Sequence, residues 1–243
     1  MYFINDIATP ILNTPYFSEV FGRQLPFDDQ KLVRVVEMIA LPRTVFKVIE
    51  KKKDHILEVS TEAYPSSTPL YIDERCGSLG SDGKARKKSL PPPEEILKRM
   101  KNQQGLPYVW GGNYGEGISE WKSLYPPQKE LSSFEETHWT FHGVDCSGLL
   151  YQATDGYTPR NTSGLMTFGK EVPLEDIKPL DLILFPGHVI IALGDGKVIE
   201  SSHLHGGVVI NLFDKRLSEI EVPITLRRFH PAFFERPYEG DQS

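Results

Sequence analysis

Cysteine is scarce in this sequence: only Cys76 and Cys146 occur in 243 residues. So few cysteines exclude a scaffold stapled by several disulfides, and at least one thiol is expected to be free to react. Positive charge is also short, with 27 Lys and Arg against 33 Asp and Glu and a formal net charge of -6. No overall positive field exists to hold phosphate backbones or an anionic bilayer, so neither nucleic acid nor a membrane is expected as a partner. Apolar runs of membrane-spanning length are missing too. The opening Met1-Tyr2-Phe3-Ile4-Asn5-Asp6 has no basic stretch followed by an apolar one, which leads to the expectation of a cytoplasmic location.

What is present is 39% hydrophobic residues, enough for more than one small core. Residues 1–78 alternate short apolar runs such as Val33 to Val36, Val45 to Ile49, Ile56 to Val59 and Leu70 to Ile72 with Pro, Asn and Asp breaks. Short half-buried strands of this kind predict a small antiparallel β-barrel domain. Residues 79–93 shift to Gly, Ser and Lys/Arg and end in Pro91-Pro92-Pro93, a solvated linker. Glu94-Glu95-Ile96-Leu97-Lys98-Arg99-Met100 follows with acids first and bases last, the order that suits a helix dipole, and opens a second domain over 94–243. There the pattern predicts a helix from Cys146 to about Thr154. It also predicts strands at Leu182–Phe185, His188–Leu193, Lys197–Ser201 and Val208–Leu212, an α+β arrangement with one helix feeding an antiparallel sheet.

Three segments in the second domain suggest chemistry. Gly143-Val144-Asp145-Cys146-Ser147-Gly148 sets a cysteine at a helix start, where unpaired N–H groups and the macrodipole favour a thiolate. The small Ser147 and Gly148 would let a substrate backbone approach, and the Cys146 N–H would help bind an oxyanion. Asp145 also suits the N-cap of that helix. Pro186-Gly187-His188-Val189 heads an apolar strand with a histidine placed to act as general base. Leu106-Pro107-Tyr108-Val109-Trp110-Gly111-Gly112 adds an aromatic pair stopped by two glycines.

In the order Pro-Tyr-x-Trp-Gly-Gly, Asp-Cys-Ser-Gly and Gly-His-Val, the stretch from about Glu94 to Arg228 resembles the NlpC/p60 family of bacterial cell-wall cysteine peptidases. The resemblance implies a papain-like catalytic domain in which Cys146 attacks, His188 is the base and a third polar residue orients the imidazole. It further implies that Tyr108 lies beside the nucleophile and that Asp145 and Ser147 help hold substrate. The N-terminal region is similar to the bacterial SH3-like domains that accompany this peptidase. In related cytosolic members such a domain narrows the groove, so that short muropeptides with a free amine fit. Together these imply hydrolysis of peptidoglycan stem peptides, at the bond between γ-D-glutamate and diaminopimelate, in recycling or remodelling.

The third residue depends on the hairpin register around Gly194-Asp195-Gly196. A three-residue loop pairs His188 with Ser202 and leaves Glu200 diagonal to it on the same face; a two-residue turn pairs His188 with His203 and flips Glu200 away. The family spacing falls on Glu200, where the family carries His, Asn or Gln, with His203 the alternative. Residues 113–142 form an insertion rich in aromatics, read either as a self-packed surface loop or as a lid over the groove. His203-x-His205 has no accompanying ligand cluster, so no metal is expected, and no cofactor. Two other functions stay open. One is a catalytically inactive module that binds wall peptides, which the unusual Glu200 favours. The other is a thiol acyltransferase or lipid hydrolase, which calls for an apolar groove that the sequence does not display.

Overall fold

The computed structural model describes residues 1–234. Its N-terminal part is a seven-stranded antiparallel sheet of β1 (Tyr2–Asn5), β2 (Thr9–Leu12), β3 (Val36–Ala40), β4 (Val45–Lys51), β5 (Ile56–Ser60), β6 (Leu70–Asp73) and β7 (Gly77–Gly80). Their spatial order is β3-β2-β6-β5-β4-β1-β7. Phe3, Ile11, Met38, Phe46, Leu57 and Ile72 are buried together on this sheet. The short helix α1 (Phe17–Val20) lies between β2 and β3.

The expected closed barrel does not form. The ladder starts at β3 and ends at β7, and these edges do not pair with each other. A physical reason lies at Ile39, which stands opposite Pro10 and turns its own N–H and C=O outward. That outward edge is taken by a side chain: Ile39 N–H donates to Asn113 Oδ1 at 2.9 Å, and Asn113 Nδ2 donates to Ile39 O at 2.8 Å. An amide from later in the chain thus satisfies the backbone groups that a closing strand would need.

After β7 the chain has no regular element until α2 (Pro93–Lys101), which carries Pro93 at its start, Glu94 and Glu95 in its first turn and Lys98, Arg99 and Lys101 in its last. Two short strands, β8 (Asn113–Tyr114) and β9 (Gly143–Val144), pair across the insertion. Inside it lie α3 (Trp121–Leu124) and α4 (Ser133–Trp139), the latter begun by a capping box between Ser132 and Glu135. The self-packed surface loop expected as one reading of this segment does not form. Trp121, Trp139 and Phe141 are fully buried, and their rings meet Phe21 from the N-terminal part at 5.2, 5.8 and 5.8 Å between centroids. The insertion is therefore shared core that ties the N-terminal sheet to the rest of the chain.

The second sheet has six antiparallel strands in the order β10 (Lys170–Glu171), β15 (Thr225–Arg228), β11 (Leu182–Phe185), β12 (His188–Gly194), β13 (Lys197–Ser202) and β14 (Gly207–Leu212). Helix α5 (Cys146–Ala153) packs on one face with α2, burying Leu149, Leu150, Ile96 and Met100 against Val189, Ile191 and Ile199. The opposite face buries Ile183, Ile190 and Val198 under Phe213 and Leu217 of α7 (Phe213–Ser218). Burial on both faces explains why β12 reads as an unbroken apolar run rather than an alternating one. The α+β arrangement with a helix on an antiparallel sheet is the one expected. A further short helix, α6 (Thr162–Leu165), follows α5.

Candidate active site

Cys146 is the first residue of α5, and Asp145 is its N-cap, with Oδ1 accepting the Gly148 N–H at 2.7 Å. The Cys146 Sγ lies 3.9 Å from the Gly187 carbonyl, one residue before His188. Burial, with the Asp145 charge adding to it, pushes the thiol up to about 12, against the opposing pull of the Ser147 and Val189 backbone N–H groups. Burial thus favours the neutral thiol, and forming a thiolate calls for a nearby proton acceptor. Gly148 is dictated by packing: a Cβ there would stand 1.9 Å from the Gly112 carbonyl, so the Asp-Cys-Ser-Gly turn can close only on glycine.

Arg160 organises the floor beneath this turn. Its guanidinium is almost wholly buried and forks onto Asp145, with 3.0 Å to Oδ1 and 2.7 Å to Oδ2. It also donates to Ser147 Oγ at 3.0 Å, Asn113 Oδ1 at 2.8 Å and the Gly112 carbonyl at 3.2 Å. Since Asn113 grips β3, one hydrogen-bonded path runs from the N-terminal sheet through Arg160 to the cap of the cysteine helix. The sequence reading missed this residue, although a signal exists: Arg160 is the only Lys or Arg between Cys146 and Lys170. A capping carboxylate beside an apolar helix needs such a partner.

The hairpin resolves the register by combining both alternatives. Gly194 pairs with Lys197 across the two-residue turn Asp195-Gly196, both at positive φ of 51° and 66°. A bulge between Ala192 and Gly194 then shifts the strand by one, so that Ala192 pairs with Val198 and Ile191 with Ile199. Beyond the bulge the register is that of the three-residue loop, and Glu200 returns to the face of His188. His188 Nε2 stands 2.7 Å from Glu200 Oε2. Fully buried Glu200 also accepts Arg216 Nε at 2.5 Å and Asn211 Nδ2 at 3.3 Å, both on Oε1. Burial raises the Glu200 pKa, but the hydrogen bonds and charges of His188 and Arg216 outweigh it and bring the carboxyl down to about 2. A carboxylate facing Nε2 fixes the imidazole proton on that nitrogen and leaves the Nδ1 lone pair free.

Comparison with known proteins finds a family match over just under half of the chain. Residues 105–222 match the NlpC/P60 family. They form an NlpC/P60 domain. The chain is 34% identical over 125 residues to the peptidoglycan endopeptidase RipB of Mycobacterium tuberculosis, covering 49% of this chain and 46% of that protein. It is 29% identical over 147 residues to the gamma-D-glutamyl-L-lysine dipeptidyl-peptidase of Bacillus subtilis, covering 56% of this chain and 41% of that one. The matched region thus spans less than half the length of either relative. The crystal structure of an NlpC/P60 family protein from Bacillus cereus superposes with a TM-score of 0.63 at 17% identity, covering 95% of this chain and all of the other. That likeness shows a common fold that takes in the N-terminal sheet.

Within the NlpC/P60 domain, the Cys146 thiol reaches the Gly187 carbonyl just before the head of β12, and Glu200 holds the imidazole of the next residue, His188. Tyr108 sits beside them, its backbone N–H on the Gly206 carbonyl at 3.0 Å. Burial raises its phenol pKa, and the Asp145 and Cys146 charges raise it further. Asp145 and Ser147 are buried in the Arg160 network and present little surface to a ligand. His203 stands apart from Glu200, exposed, with its ring 5.5 Å from that of Tyr108. Arg216 and Asn211, which hold Glu200, were also missed, because Arg216 arrives on α7 folding back over β13 and β14, and Asn211 through the pairing of β13 with β14. Among the described residues no group of three or more His, Cys, Asp or Glu is arranged to hold a metal ion, and no helix is long and apolar enough to cross a membrane.

Proposed function

We propose that the protein is a cysteine endopeptidase that hydrolyses peptidoglycan stem peptides at the γ-D-glutamyl-diaminopimelate bond. The observation that carries this reading is the Cys146 thiol against the Gly187 carbonyl, next to a His188 whose Nε2 is held by ionised Glu200. In the proposed sequence the free Nδ1 of His188 takes the thiol proton, and the thiolate attacks the γ-D-glutamyl carbonyl carbon. The Cys146 N–H at the helix start steadies the oxyanion. As the C–N bond breaks, His188 returns the proton to the leaving amine. Water, deprotonated by the same imidazole, then releases the acyl group and restores the thiol. Tyr108 borders the sulfur, and Asp145 and Ser147 shape its turn from below.

The division of labour we propose is an SH3-like N-terminal unit over 1–78, a linker over 79–93 and the catalytic domain over 94–243. A cavity of ≈ 580 Å³ between Tyr64 and Pro65 of the first unit and Thr158 to Asn161 of the second supports the idea that the N-terminal unit limits the length of the substrate. Short muropeptides with a free amine then fit, as a cytoplasmic recycling role requires. The test is a mass-spectrometric digest of defined tripeptides and tetrapeptides with free and blocked amino ends. Cleavage at the γ-D-glutamyl bond of the free forms is expected; cutting of another bond, or of blocked peptides equally well, overturns the assignment.

One observation favours a second reading, a binding module without turnover: Cys146 is only 6% exposed, and its burial favours the protonated thiol. Binding of the same peptides with no product after prolonged incubation would decide for it.

A further inference from the structure

A cavity of ≈ 760 Å³ opens between the N-terminal sheet, the connector before α2 and Tyr151 of α5. Its size is that of a small-molecule site. The charge of its lining runs against that of the chain. Acids outnumber bases overall, 33 to 27, yet Arg43, Lys47, Arg86 and Lys88 line this cavity against the single carboxylate of Glu62. Arg86 is committed, with NH1 at 2.8 Å from both carboxylate oxygens of Asp155. Arg43, Lys47 and Lys88 make no salt bridge among the described residues. Partial desolvation and the neighbouring Arg86 charge lower the Lys88 pKa and outweigh the opposing pull of the Glu62 carboxylate.

The walls supply flat surface as well as charge. Lys88 Nζ sits 6.0 Å from the centre of the Tyr151 ring. Gly83 lies so close on the Tyr2 ring that a Cβ would come within 2.7 Å of it, which holds the connector down over the cavity. Cations on opposite walls, from the sheet on one side and the connector on the other, suit a ligand with more than one negative group.

We infer that this cavity binds a small multivalent anion carrying phosphate or carboxylate groups. It is separate from the cysteine turn, although Tyr151 belongs to the same helix as Cys146. The experiment is calorimetric titration of the full chain with inorganic pyrophosphate and, separately, with citrate, at constant ionic strength. Saturable binding of either is expected, weakened about tenfold or more by Lys88→Glu and by Arg43→Glu but unchanged by Lys53→Glu, a reversal outside the cavity. Tighter pyrophosphate identifies a phosphate ligand, and tighter citrate a carboxylate one. Circular dichroism of each variant checks that it is folded. The Cys146→Ala protein is expected to bind as wild type does, which keeps this result apart from the fate of the proposed peptidase activity. Absence of saturation with both anions, equal affinity in both cavity variants, or loss of binding on Cys146→Ala overturns the inference.

Discussion

Arg216 donates from Nε to Oε1 of Glu200 at 2.5 Å, while the other oxygen of Glu200 holds His188 Nε2 at 2.7 Å. One buried carboxylate is therefore shared between a permanent cation and the imidazole. The family resemblance leads to a neutral His, Asn or Gln at this position, so a carboxylate here would over-stabilise a protonated imidazole unless its charge were already engaged. The guanidinium of Arg216 engages it. Glu200→Gln keeps the shape and removes the charge, whereas Arg216→Ala leaves the full charge to His188. In peptide hydrolysis, Arg216→Ala is expected to lower kcat with little change in KM, because Glu200 loses the donor that fixes it behind His188. An unchanged kcat would mean that Arg216 does not position Glu200.

The same carboxylate makes stability depend on pH in a direction fixed by its shift. Its pKa falls from 4.5 to about 2 on folding, so the folded state favours the ionised form. The stabilisation is fully present above the ordinary carboxylate value and is lost as pH falls through about 2. Urea denaturation of wild type and Glu200→Gln should therefore show a gap near pH 7 that narrows steadily below about pH 4.5. A gap of constant size across that range would remove Glu200 from the acid response.

The two thiols are expected to separate cleanly. Cys76 is buried, with its thiol pushed up to about 12 by burial and then by the Asp73 charge, and it stands far along the chain from His188. Cys146→Ala should abolish release of product from γ-D-glutamyl peptides, while Cys76→Ala leaves it nearly intact. Equal turnover by wild type and Cys146→Ala would sink the proposed mechanism. Iodoacetamide labelling gives a second readout: at neutral pH, His188→Ala should slow modification of Cys146, because the imidazole is the acceptor for its proton.

What was legible in the sequence was local. The apolar run of β12, the acid-to-base order of α2 and the Asp-Cys-Ser-Gly helix start each depend on neighbours a few residues away, and each appears in the fold where the pattern put it. The sequence also posed the hairpin question correctly, yet it held no cue that a two-residue turn and a bulge would combine to place Glu200. Long-range partners were out of reach. Arg160, Asn113 and Arg216 act on residues 13 to 74 positions away, and apart from Arg160 being the lone cation between Cys146 and Lys170, nothing in their immediate surroundings marks the partner. The aromatic insertion was misjudged for a related reason: its rings serve a core whose other half, Phe17 and Phe21, lies about a hundred residues earlier.

Arg160 should matter more for stability than any surface cation. Removing it leaves Asp145 buried beside the helix start without its counter-ion and takes one hydrogen bond each from Asn113 and Ser147. Arg160→Ala is expected to cost about 3–5 kcal/mol in urea denaturation. Arg160→Lys retains the charge but not the planar fork and should recover only part of that loss. An exposed pair gives the contrast: Lys129→Ala, which breaks a bond to Glu135 at the surface, should cost about 1 kcal/mol or less. Similar losses in Arg160→Ala and Lys129→Ala would dismiss Arg160 as the link between the two parts of the chain.

The insertion offers the sharpest test of how the N-terminal sheet is attached. Trp121 has no exposed surface and packs against Phe17 and Phe21, at 6.2 and 5.2 Å between ring centroids. Phe134 is 45% exposed and rests mainly on Phe27 and His138. Truncating Trp121 to Ala empties a site bounded by residues from both parts of the chain and is expected to cost about 3–5 kcal/mol. Phe134→Ala should cost about 1 kcal/mol. If the segment were instead a lid, Trp121→Ala would alter KM or kcat with little effect on the denaturation midpoint. Loss of stability in Trp121→Ala, with the remaining folded protein cutting peptide at the wild-type rate, is the outcome that shared packing dictates.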